Sequence, residues 1–273
     1  MRRHLIASLM AAAWLLTAPH AAAQGAGPAT PIAIGETFTI ESKVLGETRR
    51  INVYRPPSWD EAEGAARPVL YMPDGGIAED FLHIAGLMQV STGNGTMRPF
   101  LLVGVENTER RRDMTGPTTS AEDRKIAPRV GRSAAFRDFF RTELMPAITA
   151  RYRTTGETAI VGESLAGLFV VETLLVEPSL FDTYIAFDPS VWWNNGKLVE
   201  DAPELVRAAA GKKNVYLASG ADAGIDDRLR KLTGAFAKQP GITWQYHAMP
   251  DEKHATIYHP AALKAFRVLF KPS

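Results

Sequence analysis

A serine stands at a chemically suggestive place in Gly162-Glu163-Ser164-Leu165-Ala166-Gly167. It follows the short apolar run Ala159-Ile160-Val161 and precedes an apolar helix-forming stretch, residues 168–176. A serine at a tight strand-to-helix turn holds its hydroxyl out above the strand end. There a neighbouring base can remove its proton, and the amides of the helix N-terminus face the charge that develops on an attacked carbonyl. The small residues Gly162 and Ala166 let strand and helix pass closely, although Ala166 stands where such turns usually carry a second glycine. A serine in a Gly-rich turn is also a common helix N-cap; the strand-helix setting is what favours a nucleophile.

Such a serine needs a base, oriented by an acid, in the chain order Ser, acid, His. Only His247, His254 and His259 follow Ser164. His254 lies in the polar turn Met249-Pro250-Asp251-Glu252-Lys253-His254 beyond the last strand pattern and is the expected base. His247 falls inside that strand, and His259 precedes Pro260 at the entry to the last helix. His254 and His259 are five apart, which misses the i, i+4 spacing of helical zinc ligands, so no metal site is expected. For the acid, Ser219-Gly220-Ala221-Asp222 follows a buried strand, and Asp222 is the expected orienting carboxylate. Asp226 and Asp227 read as the cap and first turn of the next helix. Asp222 as a plain turn residue, or a Ser–His dyad oriented by a backbone carbonyl, remain alternatives. The loop Pro73-Asp74-Gly75-Gly76 lets backbone approach a substrate, and the Gly76 and Leu165 amides are the expected oxyanion donors; a plain Asp-Gly-Gly turn is the competing reading.

The pattern of elements fits this placement. Residues 37–42 and 49–54 read as an antiparallel hairpin joined at Gly46. Buried strands follow at 69–72, 100–105, 158–161, 184–187 and 215–218, with a more polar last strand at 242–249. Helices are expected at 78–89, 133–151, 165–177, 201–210, 227–238 and 260–270. This alternation predicts an α/β fold: a mostly parallel central sheet, the hairpin at its edge, and helices on both faces. In such a sheet ligands bind beyond the carboxyl ends of the strands, where Ser164, Asp222 and His254 are expected. Residues 108–129, rich in charge, Thr and Pro, read as one long irregular loop of the kind that is often functional.

Arg2 and Arg3, the apolar run of residues 5–16 and Ala21-Ala22-Ala23 form the three parts of a secretory signal, so residues 1–23 are expected to be removed on export. An uncleaved N-terminal anchor is the alternative. Residues 24–33 read as a flexible linker and residues 34–273 as one domain. Losing Arg2 and Arg3 from the 31 Lys and Arg residues leaves 29 against 30 Asp and Glu, a net charge of −1. That balance, with no basic cluster beyond Arg110-Arg111-Arg112, argues against nucleic acid and anionic membranes as partners. There are no cysteines, which excludes a thiol nucleophile and thiolate metal sites. An exported chain without disulfides must be held by its core, for which 45% hydrophobic residues suffice.

Together these residues resemble the bacterial Putative esterase family, which includes esterase D-like enzymes and periplasmic siderophore trilactone esterases. The resemblance runs through Leu70-Tyr71-Met72-Pro73-Asp74-Gly75, Val103-Gly104-Val105-Glu106-Asn107-Thr108, Arg112-Asp113-Met114-Thr115, Asp188-Pro189-Ser190-Val191-Trp192-Trp193 and the segment from His254 to Pro260. Glu163 and Ala166 depart from the family's usual Gly-His-Ser-x-Gly-Gly elbow. The resemblance implies an α/β-hydrolase fold and ester hydrolysis without a cofactor, with Ser164 and His254 in the family positions. Asn107 and Arg112, past the 100–105 strand, are candidate substrate contacts, although Arg112 and Asp113 could equally clamp the long loop. Of Trp192 and Trp193, adjacent aromatics that cannot share one face of an extended segment, one is expected to pack and the other to line the pocket. The expected partner is a small-molecule carboxylic ester, with a siderophore lactone implied by resemblance alone. A non-catalytic binding protein, an acyltransferase or a peptidase of the same fold are the alternatives.

Overall fold

In the computed structural model, which describes residues 28–57, 64–208 and 211–272, eight strands form one sheet in the order β1-β2-β4-β3-β5-β6-β7-β8. The strands are β1 (Glu36–Ser42), β2 (Glu47–Tyr54), β3 (Arg67–Pro73), β4 (Leu101–Val105), β5 (Thr154–Glu163), β6 (Thr183–Phe187), β7 (Lys213–Ser219) and β8 (Ile242–Ala248). The hairpin β1–β2 is antiparallel and attaches antiparallel to β4; every other pairing is parallel. This is the expected fold class. β3, β4 and β6 are buried along their whole length, as continuous apolar strands covered on both faces must be.

Side chains alternate across β3 and so divide the core. Val69 and Tyr71 join a cluster with Phe136, Phe140, Phe169 and Phe181. Leu70 and Met72 join another with Phe81, Met88, Phe100 and Phe266. Helices α1 (Phe81–Gly93) and α9 (Tyr258–Leu269) cover the second face; α6 (Ser164–Val176) and α8 (Ala223–Phe236) cover the first.

Three local expectations change. Residues 108–129 are not one irregular loop, because they carry two short helices, α2 (Arg110–Met114) and α3 (Ala121–Lys125). Ser120 caps α3 by accepting the Asp123 N–H at 3.3 Å. The helix expected at 133–151 runs over that span but carries a π-helical turn (Phe140–Leu144) between α4 (Ser133–Phe139) and α5 (Met145–Arg151). Pro146 lacks the N–H that a continuous helix needs at that point. The helix expected at 201–210 starts earlier, as α7 (Lys197–Leu205), and runs into a 3-10 turn at Val206–Ala208; residues 209 and 210 lie outside the described residues. The signal segment also lies outside them. No described helix is long and apolar enough to cross a membrane.

Candidate active site

β5 ends at Glu163 and α6 begins at Ser164 with no residue between them. Ser164 makes this turn with φ +60°, a backbone conformation that non-glycine residues seldom adopt. A Cβ on Gly162 would lie 2.7 Å from the Ala166 Cβ and 2.6 Å from its carbonyl carbon. Glycine is therefore required at 162, and the space it leaves is what admits Ala166 in place of a second glycine. The Ser164 carbonyl accepts the Ser190 N–H at 2.9 Å, which ties the turn to the segment after β6.

Ser164 Oγ lies 3.1 Å from His254 Nε2, and His254 Nδ1 lies 2.5 Å from Asp188 Oδ2. The carboxylate beside the imidazole is thus Asp188, and the expectation for Asp222 is corrected. Asp222 caps α8 instead, accepting the Gly224 and Ile225 amides at 2.8 and 3.2 Å. The β7 loop that was expected to supply the acid supplies backbone instead. Gly220 N–H donates to Asp188 Oδ1 at 2.9 Å, while Ala221 N–H donates to the Glu252 carbonyl and Met249 N–H to the Ser219 carbonyl, both at 2.8 Å. A Cβ on Gly220 would come within 2.9 Å of the Glu252 carbonyl oxygen, so the loop bearing His254 is seated directly on the β7 loop. Asp188 is the first residue past β6, with φ +40°, and its own N–H donates to the Ala218 carbonyl at 2.8 Å. The rule applied to Asp222, first carboxylate past a buried strand, also selects Asp188, one strand closer to the nucleophile strand.

Burial opposes ionisation of Asp188, but hydrogen bonds from His254 and from the Gly220 amide outweigh it and hold the carboxyl below its ordinary range. The bond to Asp188 raises the His254 pKa against the opposing effect of burial, and the charges of Glu163 and Asp188 raise it further. The His254 side chain is 55% exposed, so the imidazole is open to solvent. A serine bonded to an imidazole, itself bonded to a buried carboxylate, can transfer the serine proton to nitrogen during attack on a carbonyl. The resulting imidazolium is stabilised by the carboxylate behind it.

The other candidates separate clearly. Leu165 opens the first turn of α6, whose leading amides have no intrahelical carbonyl to bond. The Gly76 amide does not share that freedom. It donates to Glu79 Oε2 at 2.7 Å, because a glutamate three residues on reaches back to close the turn, so Gly76 is corrected as an oxyanion donor. Asn107 is a support: its amide nitrogen donates to Asp74 Oδ1 at 2.5 Å and its backbone N–H to Glu79 Oε1 at 3.2 Å. Arg112 is buried at 3% exposure, tied to Asp113, Glu47 and Glu109, and is corrected as a substrate contact. Two positions along α2 turn the chain through some 200°, which sets Arg110 on the opposite side. Arg110 makes a bidentate pair with Asp74, at 2.7 and 2.8 Å, and its charge is felt by Glu163 beside Ser164. The run Arg110-Arg111-Arg112 does not single out Arg110, whose position depends on α2 forming where an irregular loop is expected. Trp193 packs at 4% exposure with its indole N–H donating to the Gly116 carbonyl at 2.9 Å, while Trp192 is exposed. No group of three metal-ligating side chains lies together among the described residues.

The model of the Putative esterase family matches residues 42–256. The ferri-bacillibactin esterase BesA of Bacillus subtilis is 28% identical over 235 residues, 76% of this chain and 80% of that protein. The siderophore triacetylfusarinine C esterase of Aspergillus fumigatus is 30% identical over 190 residues, 64% and 62% of the two chains. Among solved structures, the IroE-like serine hydrolase from Shewanella oneidensis superposes with a TM-score of 0.75 at 27% identity, over 87% of this chain and 80% of that one.

Proposed function

The chain belongs to the Putative esterase family, and on that premise we propose that it is a serine esterase working through an acyl-enzyme on Ser164. His254 takes the Ser164 proton as the hydroxyl attacks an ester carbonyl, and Asp188 holds the imidazole and balances its charge. The leading amides of α6, with Leu165 first, receive the oxyanion, and His254 then activates water against the acyl-enzyme. The observation that carries this reading is the unbroken chain from Ser164 Oγ through His254 to Asp188.

The substrate is a siderophore ester. Two relatives that align with most of the chain are named for that chemistry, and the exposed His254 imidazole leaves room for a bulky lactone. The N-terminal signal pattern supports export to the periplasm or beyond, where such a ligand would be met. Incubation with a catecholate trilactone, iron-loaded and iron-free, beside p-nitrophenyl esters tests the reading by product chromatography. Wild type should open the trilactone and be labelled at Ser164 by a fluorophosphonate, and Ser164→Ala should do neither. A wild-type protein that binds the trilactone without opening it, and stays unlabelled, would make it a binding protein of this fold.

A further inference from the structure

The imidazole that faces Ser164 also faces a second carboxylate. Glu163 Oε1 lies 3.3 Å from His254 Nε2, the same nitrogen that lies 3.1 Å from Ser164 Oγ. Nε2 has one lone pair or one proton to offer, so the two neighbours compete for it. The Glu163 side chain is only 16% exposed, and it is held there as the last residue of β5, where the turn into α6 leaves no slack. We propose that Glu163 shares a proton with His254 and sets the pH above which Ser164 can be activated, acting as a positioning residue of the same site. This inference rests on the serine-esterase reading for its consequence, though the shared proton can be observed without turnover.

The groups around Glu163 support that role. His254 and Arg110 draw its carboxyl toward the charged form, while Asp80 and Asp188 oppose ionisation. The Tyr258 hydroxyl on α9 is buried without a hydrogen-bond partner among the described residues, and its titration feels the charges of Asp80, Asp74 and Glu163. Burial is the largest influence and pushes Glu163 up to about 7, into the range where an imidazole also titrates. One proton then resides between Glu163 Oε1 and His254 Nε2. While it sits on Nε2, the nitrogen cannot accept the Ser164 proton. When solvent takes it, the lone pair turns to Ser164, and the proton later abstracted from Ser164 creates an imidazolium flanked by Asp188 and Glu163. The same carboxylate therefore delays activation at low pH and strengthens the base at high pH.

The test pairs an NMR titration of the His254 ring with pH profiles of kcat/KM on a p-nitrophenyl ester. Wild type, Glu163→Gln and Glu163→Asp are compared. The glutamine is close to isosteric and cannot hold the negative charge. It should move the His254 midpoint and the acid limb to lower pH, so that activity at pH 6, as a fraction of the plateau, rises by up to about tenfold while the plateau falls. The aspartate should restore part of the wild-type profile. In wild type alone the His254 signal should titrate in two coupled steps, a result that does not depend on any variant folding. Unchanged midpoints in Glu163→Gln, or a single-step His254 titration in wild type, would overturn the proposal while fluorophosphonate labelling of Ser164 stood. A Glu163-dependent titration in a protein that neither labels nor turns over ester would leave the shared proton standing and remove the esterase reading instead.

Discussion

Ser164, Asp188 and Glu163 owe their positions to backbone as much as to side-chain chemistry. Ser164 and Asp188 both occupy positive φ at the ends of neighbouring strands, conformations that persist only where the surroundings enforce them. Asp222, by contrast, has ordinary local work at the start of α8. Asp222→Ala should lower stability by about 1 kcal/mol, as loss of an N-cap does, and should leave ester turnover near wild type; urea denaturation beside a steady-state assay checks both. Glu163 also links the site to stability. Its folded pKa of about 7 lies above the ordinary 4.5, so the folded state holds this proton more firmly than the unfolded state. The contribution is fully present below about pH 4.5 and is lost as pH rises toward 7. The melting temperature of Glu163→Gln relative to wild type should therefore rise from pH 5 to pH 8, and a flat difference would show that the carboxyl is not held in its protonated form.

At the scale of elements, the loops beyond the strand ends are fixed by glycines and buried ion pairs. A Cβ on Gly75 would lie 2.2 Å from the Gly104 Cα, so the turn after β3 passes against the backbone of β4. Arg49, fully buried on β2, pairs with Asp113 on α2 at 2.5 Å and also reaches Glu47 and the Glu106 carbonyl. This network anchors the segment that carries Arg110 to the sheet. Arg49→Ala should cost about 1–3 kcal/mol in chemical denaturation, because Asp113 Oδ2 loses its buried donor while Arg112 still pairs with Oδ1; no measurable loss would mean that the network is dispensable. The strands were legible because apolar runs such as Val69 to Met72 have one stable environment, a covered sheet. The placement of Ser164 was legible because it follows β5 directly, and that of His254 because it lies in the polar turn past β8. Asp188 is not distinguishable from Asp222 in sequence, because the order Ser, acid, His is met equally well one strand later and does not say which carboxylate reaches the imidazole. The Gly76 amide is illegible for a related reason: whether it is free depends on Glu79 folding back, which spacing alone does not show.

The whole molecule places its chemistry along one edge of the sheet. β5, β6 and β8 are separate in sequence, yet their carboxyl ends bring Ser164, Asp188 and His254 into one hydrogen-bonded chain. The intervening β7 contributes backbone that seats the other two loops. The proposed reaction therefore takes no side chain from the end of β7. The most direct measurement is kcat/KM for one ester with Asp188→Asn and Asp222→Asn made in parallel. Asp188→Asn should lower it by roughly 10³–10⁴-fold, since the imidazole loses both its orientation and its counter-charge, while Asp222→Asn should keep near wild-type turnover. The reverse pattern, with Asp188→Asn active and Asp222→Asn impaired, would contradict the assignment of Asp188.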